Sequence, residues 1–215
     1  MQIAGAIFDF DGTIVDSLPI VIEAFRRAIT RFTGRSITDN EIVSLFGPDE
    51  AGVIQRAVPD RWEESLAVYL KEYERLFTQR NIGAFLGIEE SLQLLRSHGI
   101  RMAVVTGKGT YSTAFSLRHA LLENYFEMVE TGSPHGSIKS KLIQKVSDRW
   151  ALPPSRVFYL GDSPSDVHEA RIAGVIPLSA AWADPFNTEK LKAENPEAVF
   201  TTPQSFINWI SSKLI

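Results

Sequence analysis

Two aspartates stand two residues apart in Asp9-Phe10-Asp11-Gly12-Thr13, and two more stand four apart in Gly161-Asp162-Ser163-Pro164-Ser165-Asp166. Carboxylates in such numbers suit two kinds of work, proton transfer and the binding of a hard cation through oxygen. Residues two apart in an extended chain point the same way, so Asp9 and Asp11 can act on one ligand. Gly12 lets the chain turn directly after them. The D-x-D-G pattern also suits an ordinary turn, and Asp162 and Asp166 also suit the start of a helix. A calcium-binding loop is excluded, because the twelfth position counted from Asp9 is Ile20, where a bidentate glutamate is required. A third segment, Thr106-Gly107-Lys108, offers a hydroxyl and a backbone N–H to a phosphoryl group at a helix N-terminus. The run from Gly132 to Lys139 (GSPHGSIK) lacks the G-x4-G-K-[ST] spacing of a nucleotide P-loop, which argues against an ATPase.

These groups need a scaffold, and the pattern of the chain describes one. Short apolar runs of strand type occur at Gly5–Phe10, Arg101–Thr106, Glu127–Thr131, Val157–Leu160, Val175–Ala180 and Ala198–Thr201. Several are apolar on both faces, as central strands of a parallel sheet must be. Helical patterns at 88–97, 110–121, 140–150, 165–173, 187–194 and 203–213 separate or follow them. Alternating strands and helices predict a doubly wound α/β sheet. In such a sheet ligands collect at the carboxyl ends of the strands, which is where the polar segments fall.

One interval breaks the alternation. Between about 16 and 80 only helices are predicted, beginning with the apolar stripe Leu18, Val21, Ile22, Phe25, Ile29 and Phe32. Gly34 supplies a stop, Thr38-Asp39-Asn40-Glu41 has the form of a capping box, and a third helix carries Trp62, Leu66, Tyr69, Tyr73, Leu76 and Phe77. The coarse expectation is a helical bundle inserted after the first strand. The loop Phe46-Gly47-Pro48-Asp49-Glu50 is its expected point of substrate contact.

Composition narrows the classes. The chain has 215 residues, 44% of them hydrophobic and 22% charged, with a net charge of −4. That length can bury roughly 70% of the unfolded surface, enough for a core without staples. The mildly acidic balance offers no general attraction to nucleic acid or anionic membrane. With no cysteine, thiolate catalysis, disulfides and cysteine zinc sites are ruled out. The N-terminal segment does not read as a signal peptide and no run of 18 apolar residues occurs, so a soluble, cytoplasmic protein is expected.

Taken in order, D-F-D-G-T, a strand ending in Thr106, Lys139 and G-D-S-P-S-D resemble the motifs of the haloacid dehalogenase superfamily of phosphotransferases, across the whole α/β part. The inserted helices are similar to the small cap of its phosphoglycolate phosphatase and β-phosphoglucomutase branch. The segment VVTGKGTYSTAFSLRHALLENYF, followed by VETG, looks closest to the phosphoglycolate-phosphatase-like group. That group commonly has Lys-Pro where this chain has Lys139-Ser140. The resemblance implies a Rossmann-like core over residues 1–15 and 82–215 and a helical cap domain over 16–81.

It also implies an activity, that of a Mg²⁺-dependent phosphatase cleaving a small phosphomonoester, phosphoglycolate-like, through an aspartyl-phosphate. Asp9 is then the nucleophile and Asp11 the acid and base. Thr106, Gly107 and Lys139 bind the phosphoryl group. Asp9, the backbone carbonyl of Asp11, and Asp162 hold the metal, with Asp166 helping, best through water. Lys141 is the rival to Lys139 for the cation. A β-phosphoglucomutase-type mutase and a non-catalytic binding protein are the alternatives. The superfamily's ion-pumping ATPases carry Lys two residues after the nucleophile and are excluded by Asp11. The implied partner is a small phosphorylated metabolite, without nucleic acid or membrane, for a monomer or homodimer. His98, His119 and His168 are expected on the surface or in packing. Lys108 is expected in solvent, His135 is a weak candidate for the pocket, and Asp16 reads equally as hinge or solvated turn.

Overall fold

The computed structural model describes residues 3–184 and 187–214. Met1, Gln2, Pro185, Phe186 and Ile215, which the predicted core segments include, lie outside the described residues. Six strands form one parallel sheet: β1 Gly5–Phe8, β2 Arg101–Val105, β3 Met128–Glu130, β4 Val157–Gly161, β5 Ile176–Ala180 and β6 Ala198–Phe200. Their order is β3-β2-β1-β4-β5-β6. The chain thus starts in the middle, builds outward to β3, and returns to the other side of β1. The crevice at that reversal, outside the carboxyl ends of β1 and β4, is where this architecture binds ligands.

Four helices lie between β1 and the rest of the sheet: α1 Leu18–Thr33, α2 Asp39–Val43, α3 Glu50–Ala57 and α4 Trp62–Gln79. The others are α5 Ile88–Ser97, α6 Thr110–His119, α7 Lys139–Trp150, α8 Pro164–Ile172, α9 Thr188–Ala193 and α10 Pro203–Lys213. Alternation along the central strands serves two faces. Ile7, Ala103, Val105 and Tyr159 pack with Ile143 and Val146 of α7 and Ala170 of α8. Phe8, Val104, Phe158 and Leu160 pack with Leu92 of α5, Leu117 of α6 and Phe206 of α10. Each fully buried Val, Ile, Leu or Phe among them contributes about 1.5–3 kcal/mol.

The inserted helices follow their local signals. Gly34 is left-handed at φ 66° and closes α1 through its N–H to the Thr30 carbonyl at 2.9 Å. The Thr38 and Glu41 side chains each accept from the other's backbone N–H, the reciprocal pattern of a capping box. Helices α1 and α4 join through aromatic stacking, with the Phe25 and Tyr69 rings 4.2 Å apart. The sequence pattern predicts three helices here; the structure has four. Helix α3 begins at Glu50, inside the segment that reads as a loop. It is eight residues long, contains Gly52, and has only Val53 and Ile54 for an apolar face, so no helical period is visible. Its start is marked only by Asp49, whose carboxylate accepts from the Gly52 N–H at 3.0 Å.

Strand β1 ends at Phe8 rather than Phe10. The Phe10 carbonyl accepts from the N–H groups of Thr13, Ile14 and Val15 and turns the chain, while the Asp9 N–H still bonds the Leu160 carbonyl at 2.8 Å. Asp9 is therefore held at the lip of the sheet. Among the described residues no helix is long and apolar enough to cross a membrane.

Candidate active site

The carboxyl ends of β1, β2 and β4 and the start of α7 converge on one cleft. Asp9 is only 7% exposed and receives the Lys139 ammonium at 3.1 Å. The same ammonium lies 2.6 Å from Asp166 Oδ1. Lys139 is the first residue of α7, not the last of the preceding loop. Glu169 fixes that turn, accepting from the Ser140 N–H at 2.8 Å and the Ser137 hydroxyl at 2.9 Å. Lys141 points away and is exposed, so of the two lysines Lys139 is the one in the cleft.

Asp166 is almost fully buried in the first turn of α8. Its Oδ2 accepts from the Ser163 N–H at 3.0 Å and hydroxyl at 2.6 Å, and its Oδ1 accepts from the Tyr159 hydroxyl at 3.3 Å. Capping and site chemistry thus coincide in one side chain. A Cβ at Gly161 would collide with the Asp166 carboxyl.

Charge is unevenly tolerated here. Burial pushes the Asp9 carboxyl up to about 6, against the pull of Lys139 and with the push of Asp166. Burial raises Asp162 well above the carboxylate range, helped by Asp166 and Asp9. Asp166 is lowered, because Lys139 and the Ser163 donors outweigh its burial. One carboxylate oxygen each from Asp9, Asp162 and Asp166 lies within 4.8 Å of the others. Three carboxylates against one ammonium leave two uncompensated negative charges in a buried place, which is costly. An all-oxygen donor set with that deficit fits a hard divalent cation. The backbone leaves room for it: Gly12 sits at φ 76°, and a Cβ there would strike Asp162 Oδ2.

Asp11 belongs to a different circle. Its Oδ1 accepts a hydrogen bond from the Ser17 hydroxyl and lies 3.4 Å from the Lys108 ammonium. Ser17 is the N-cap residue of α1, yet its side chain makes no cap bond, because the hydroxyl is turned to Asp11. Thr106 is 2% exposed, and its hydroxyl accepts from the Lys108 N–H at 3.3 Å. Gly132, in the loop after β3, lies so close to Gly107 that a Cβ would run into the Gly107 carbonyl.

The inserted helices reach this side of the cleft. Glu50, at the start of α3, accepts from the Gly109 N–H and the Ser112 hydroxyl, which are the first donors of α6. The positive end of α6 is therefore already met by a carboxylate, leaving Thr106 and Gly107 as the part of this loop open to a phosphoryl group. The Asp49 N–H donates to the Ser133 carbonyl at 2.9 Å.

Lys108 is the main departure from expectation. It is buried, with its ammonium 4.1 Å from the centre of the Tyr73 ring. Burial works against its charge, but Asp11 first, then Tyr73, Tyr69 and Glu50, hold the ammonium protonated. Ser17, Tyr69 and Tyr73 carry no chemical signal in the sequence, and Glu50 stands out only as the end of the segment expected to contact substrate. Their spacing is that of a capping position or an apolar helix face, so nothing in the sequence separates them from packing. Asp16, His135, His98 and His168 are exposed, and His119 stacks on Phe115 at 5.7 Å.

The sequence profile of haloacid dehalogenase-like hydrolases matches residues 6–179, which takes in every segment of the cleft. The chain belongs to this family. A protein of Caldanaerobacter subterraneus subsp. tengcongensis, provisionally named as the pyrophosphatase PpaX, is 30% identical over 92% of this chain and 90% of its own length. A phosphoglycolate phosphatase of Synechococcus elongatus is 27% identical over 95% and 96%. Among solved structures, a haloacid dehalogenase-like hydrolase from Bacteroides fragilis superposes with a TM-score of 0.77 over 94% of this chain and 98% of its own, at 23% identity. This haloacid dehalogenase-like chain is an enzyme of the phosphatase kind, with the α/β fold of those neighbours.

Proposed function

We propose that this hydrolase is a Mg²⁺-dependent phosphatase of small phosphomonoesters of the phosphoglycolate kind, working through a phosphorylated Asp9. The observation that carries the reading is the placement of Asp9 at the end of β1, joined to Lys139 and grouped with Asp162 and Asp166, with Asp11 two residues on facing other partners. Asp9 attacks phosphorus as the bond to the leaving oxygen breaks, and Asp11 hands that oxygen its proton. Water then attacks the phosphoaspartate, with Asp11 taking up the proton. Lys139 and the Thr106 hydroxyl, with the Gly107 N–H, meet the negative phosphoryl oxygens. Asp9, Asp162 and the Asp11 carbonyl, with Asp166 behind them, would hold a Mg²⁺ ion, which would supply the remaining neutralisation of charge.

The two named relatives support a small anionic substrate, since both names describe phosphate hydrolysis. The test is a panel of phosphate esters assayed with Mg²⁺ and with chelator, together with acid trapping of the phosphoenzyme. Turnover that needs Mg²⁺ and a trapped phosphate lost in Asp9→Asn are expected. Equal turnover by Asp9→Asn overturns the nucleophile. A phosphoenzyme that persists until a sugar phosphate is added replaces phosphatase with mutase.

A further inference from the structure

Lys108 is left in an unusual state. Its side chain is 2% exposed, and its ammonium has no hydrogen-bond partner among the described residues. The two carboxylates beside it, Asp11 at 3.4 Å and Glu50 at 3.7 Å, stand beyond a good hydrogen bond. Both already accept from other donors, Asp11 from Ser17 and Glu50 from Gly109 and Ser112. A three-donor cation is thus buried on two longer ion pairs and the face of the Tyr73 ring, with no acceptor in hydrogen-bond geometry among the described residues. The Tyr69 hydroxyl is the second such atom. Tyr69 is fully buried on α4, one turn before Tyr73, and its hydroxyl has no partner. Electrostatically it feels Lys108, then Glu50, Tyr73 and Asp11. The Tyr69 ring lies 6.1 Å from that of Tyr73, and Tyr73 carries the Lys108 ammonium 4.1 Å from its centre, so both orphaned donors belong to the Asp11 side of the cleft.

From this geometry we infer that Lys108 and the Tyr69 hydroxyl receive a second negatively charged group on the substrate, carried by the leaving portion beyond the oxygen that Asp11 protonates. The inference rests on the phosphatase reading above and deepens it. Lys139 meets the group that all phosphate esters share. Lys108, 3.4 Å from Asp11, meets what differs between them. A carboxylate or a second phosphoryl group offers the acceptor oxygens that both orphaned donors lack, and a charged hydrogen bond in a place poor in water is strong. An uncharged alkyl portion would leave both donors unmet, and sites built around a polar group discriminate sharply against substrates without it.

The test compares 2-phosphoglycolate, inorganic pyrophosphate and ethyl phosphate with the Mg²⁺-loaded enzyme. The quantity read is the ratio of kcat/KM for each doubly charged substrate to that for ethyl phosphate. Lys108→Met is expected to lower that ratio on the order of 100-fold, as truncating one side of a buried charge pair does. Lys108→Arg should retain part of it. Tyr69→Phe removes only an unpartnered hydroxyl, so its melting temperature should hold while the ratio falls about 5-fold. If Lys108→Met does not fold, Tyr69→Phe decides. A fall confined to the phosphoglycolate ratio marks the group as a carboxylate, and one confined to the pyrophosphate ratio marks it as phosphoryl; either supports the inference. Equal losses on all three substrates, or an unchanged ratio in Tyr69→Phe, overturn it while leaving the phosphatase reading intact. A wild-type enzyme inactive on every phosphate ester overturns both.

Discussion

The cleft holds two lysines, Lys108 buried and Lys139 half-buried, and they are built in opposite ways. Lys139 makes hydrogen bonds to two carboxylates, both from the sheet side, and its own helix turn is pinned by Glu169. Lys108 stands near two carboxylates, makes a hydrogen bond to neither, and is roofed by Tyr73 from the inserted helices. The first is a finished part of the protein. The second is finished only by something that enters. On the proposed reading, the half built around Lys139 meets what is constant among phosphate esters, and the half roofed by the inserted helices meets what is variable among them.

The largest expected effect breaks the constant half outright. Asp9→Asn should lower turnover by at least about 10⁴-fold while circular dichroism stays unchanged, since losing a covalent nucleophile removes the pathway itself. Lys139→Met should lower kcat/KM by about 10³-fold for every ester alike, because it loses a contact to the transferred group. It should also destabilise the chelator-treated protein by about 3 kcal/mol, measured by urea unfolding, because Asp9 and Asp166 are left facing each other unopposed. A loss that depended on the leaving group would erase the distinction between the two lysines.

Asp11→Asn sharpens the comparison from the other side. It should slow alkyl phosphates about 100-fold and p-nitrophenyl phosphate only a few-fold, because a good leaving group needs no acid. Equal losses on both substrates would remove Asp11 from that role.

The smallest effect is a pH dependence of stability. Asp9 has its carboxyl pushed up to about 6, against an unfolded value of 3.8, so between those values the folded state binds more protons. Metal-free protein should therefore lose stability as pH rises from about 4 to 6. Asp162 acts in the same direction, whereas Asp166, being lowered, contributes only below 3.8. Urea midpoints measured across this range should fall in chelator and flatten when Mg²⁺ is present. A rising midpoint in chelator would contradict the charge deficit assigned to the Lys139 side.

Much of the constant half is legible in the sequence, for a physical reason. Parallel strands buried on both faces must be apolar runs, as β1, β2 and β4 are, and the less buried edge strands β3 and β6 still fall within the short runs Glu127–Thr131 and Ala198–Thr201. The residues at their ends stand out as polar breaks in apolar surroundings, which is why Asp9, Thr106 and Asp162 can be picked by eye. The variable half is hidden because its groups do double duty. Tyr69 and Tyr73 obey the apolar spacing of α4, Ser17 sits where a helix cap belongs, and Glu50 opens a helix too short to announce itself. Lys108 follows a glycine in a polar loop, where lysines ordinarily reach water. Only the roof of Tyr73, contributed from 35 residues earlier in the chain, turns it inward.

Gly132 carries a mechanical corollary. With no side chain to hold them apart, the turns after β2 and β3 abut at Gly107 and Gly132, and the Gly132 N–H bonds the Lys108 carbonyl at 2.8 Å. The two turns are joined there into one plate. Since Asp49 of the inserted helices grips the far edge of that plate at Ser133, swinging the helices away would tug on the very backbone that frames the departing phosphate. Release of product and withdrawal of the inserted helices would then be one movement rather than two.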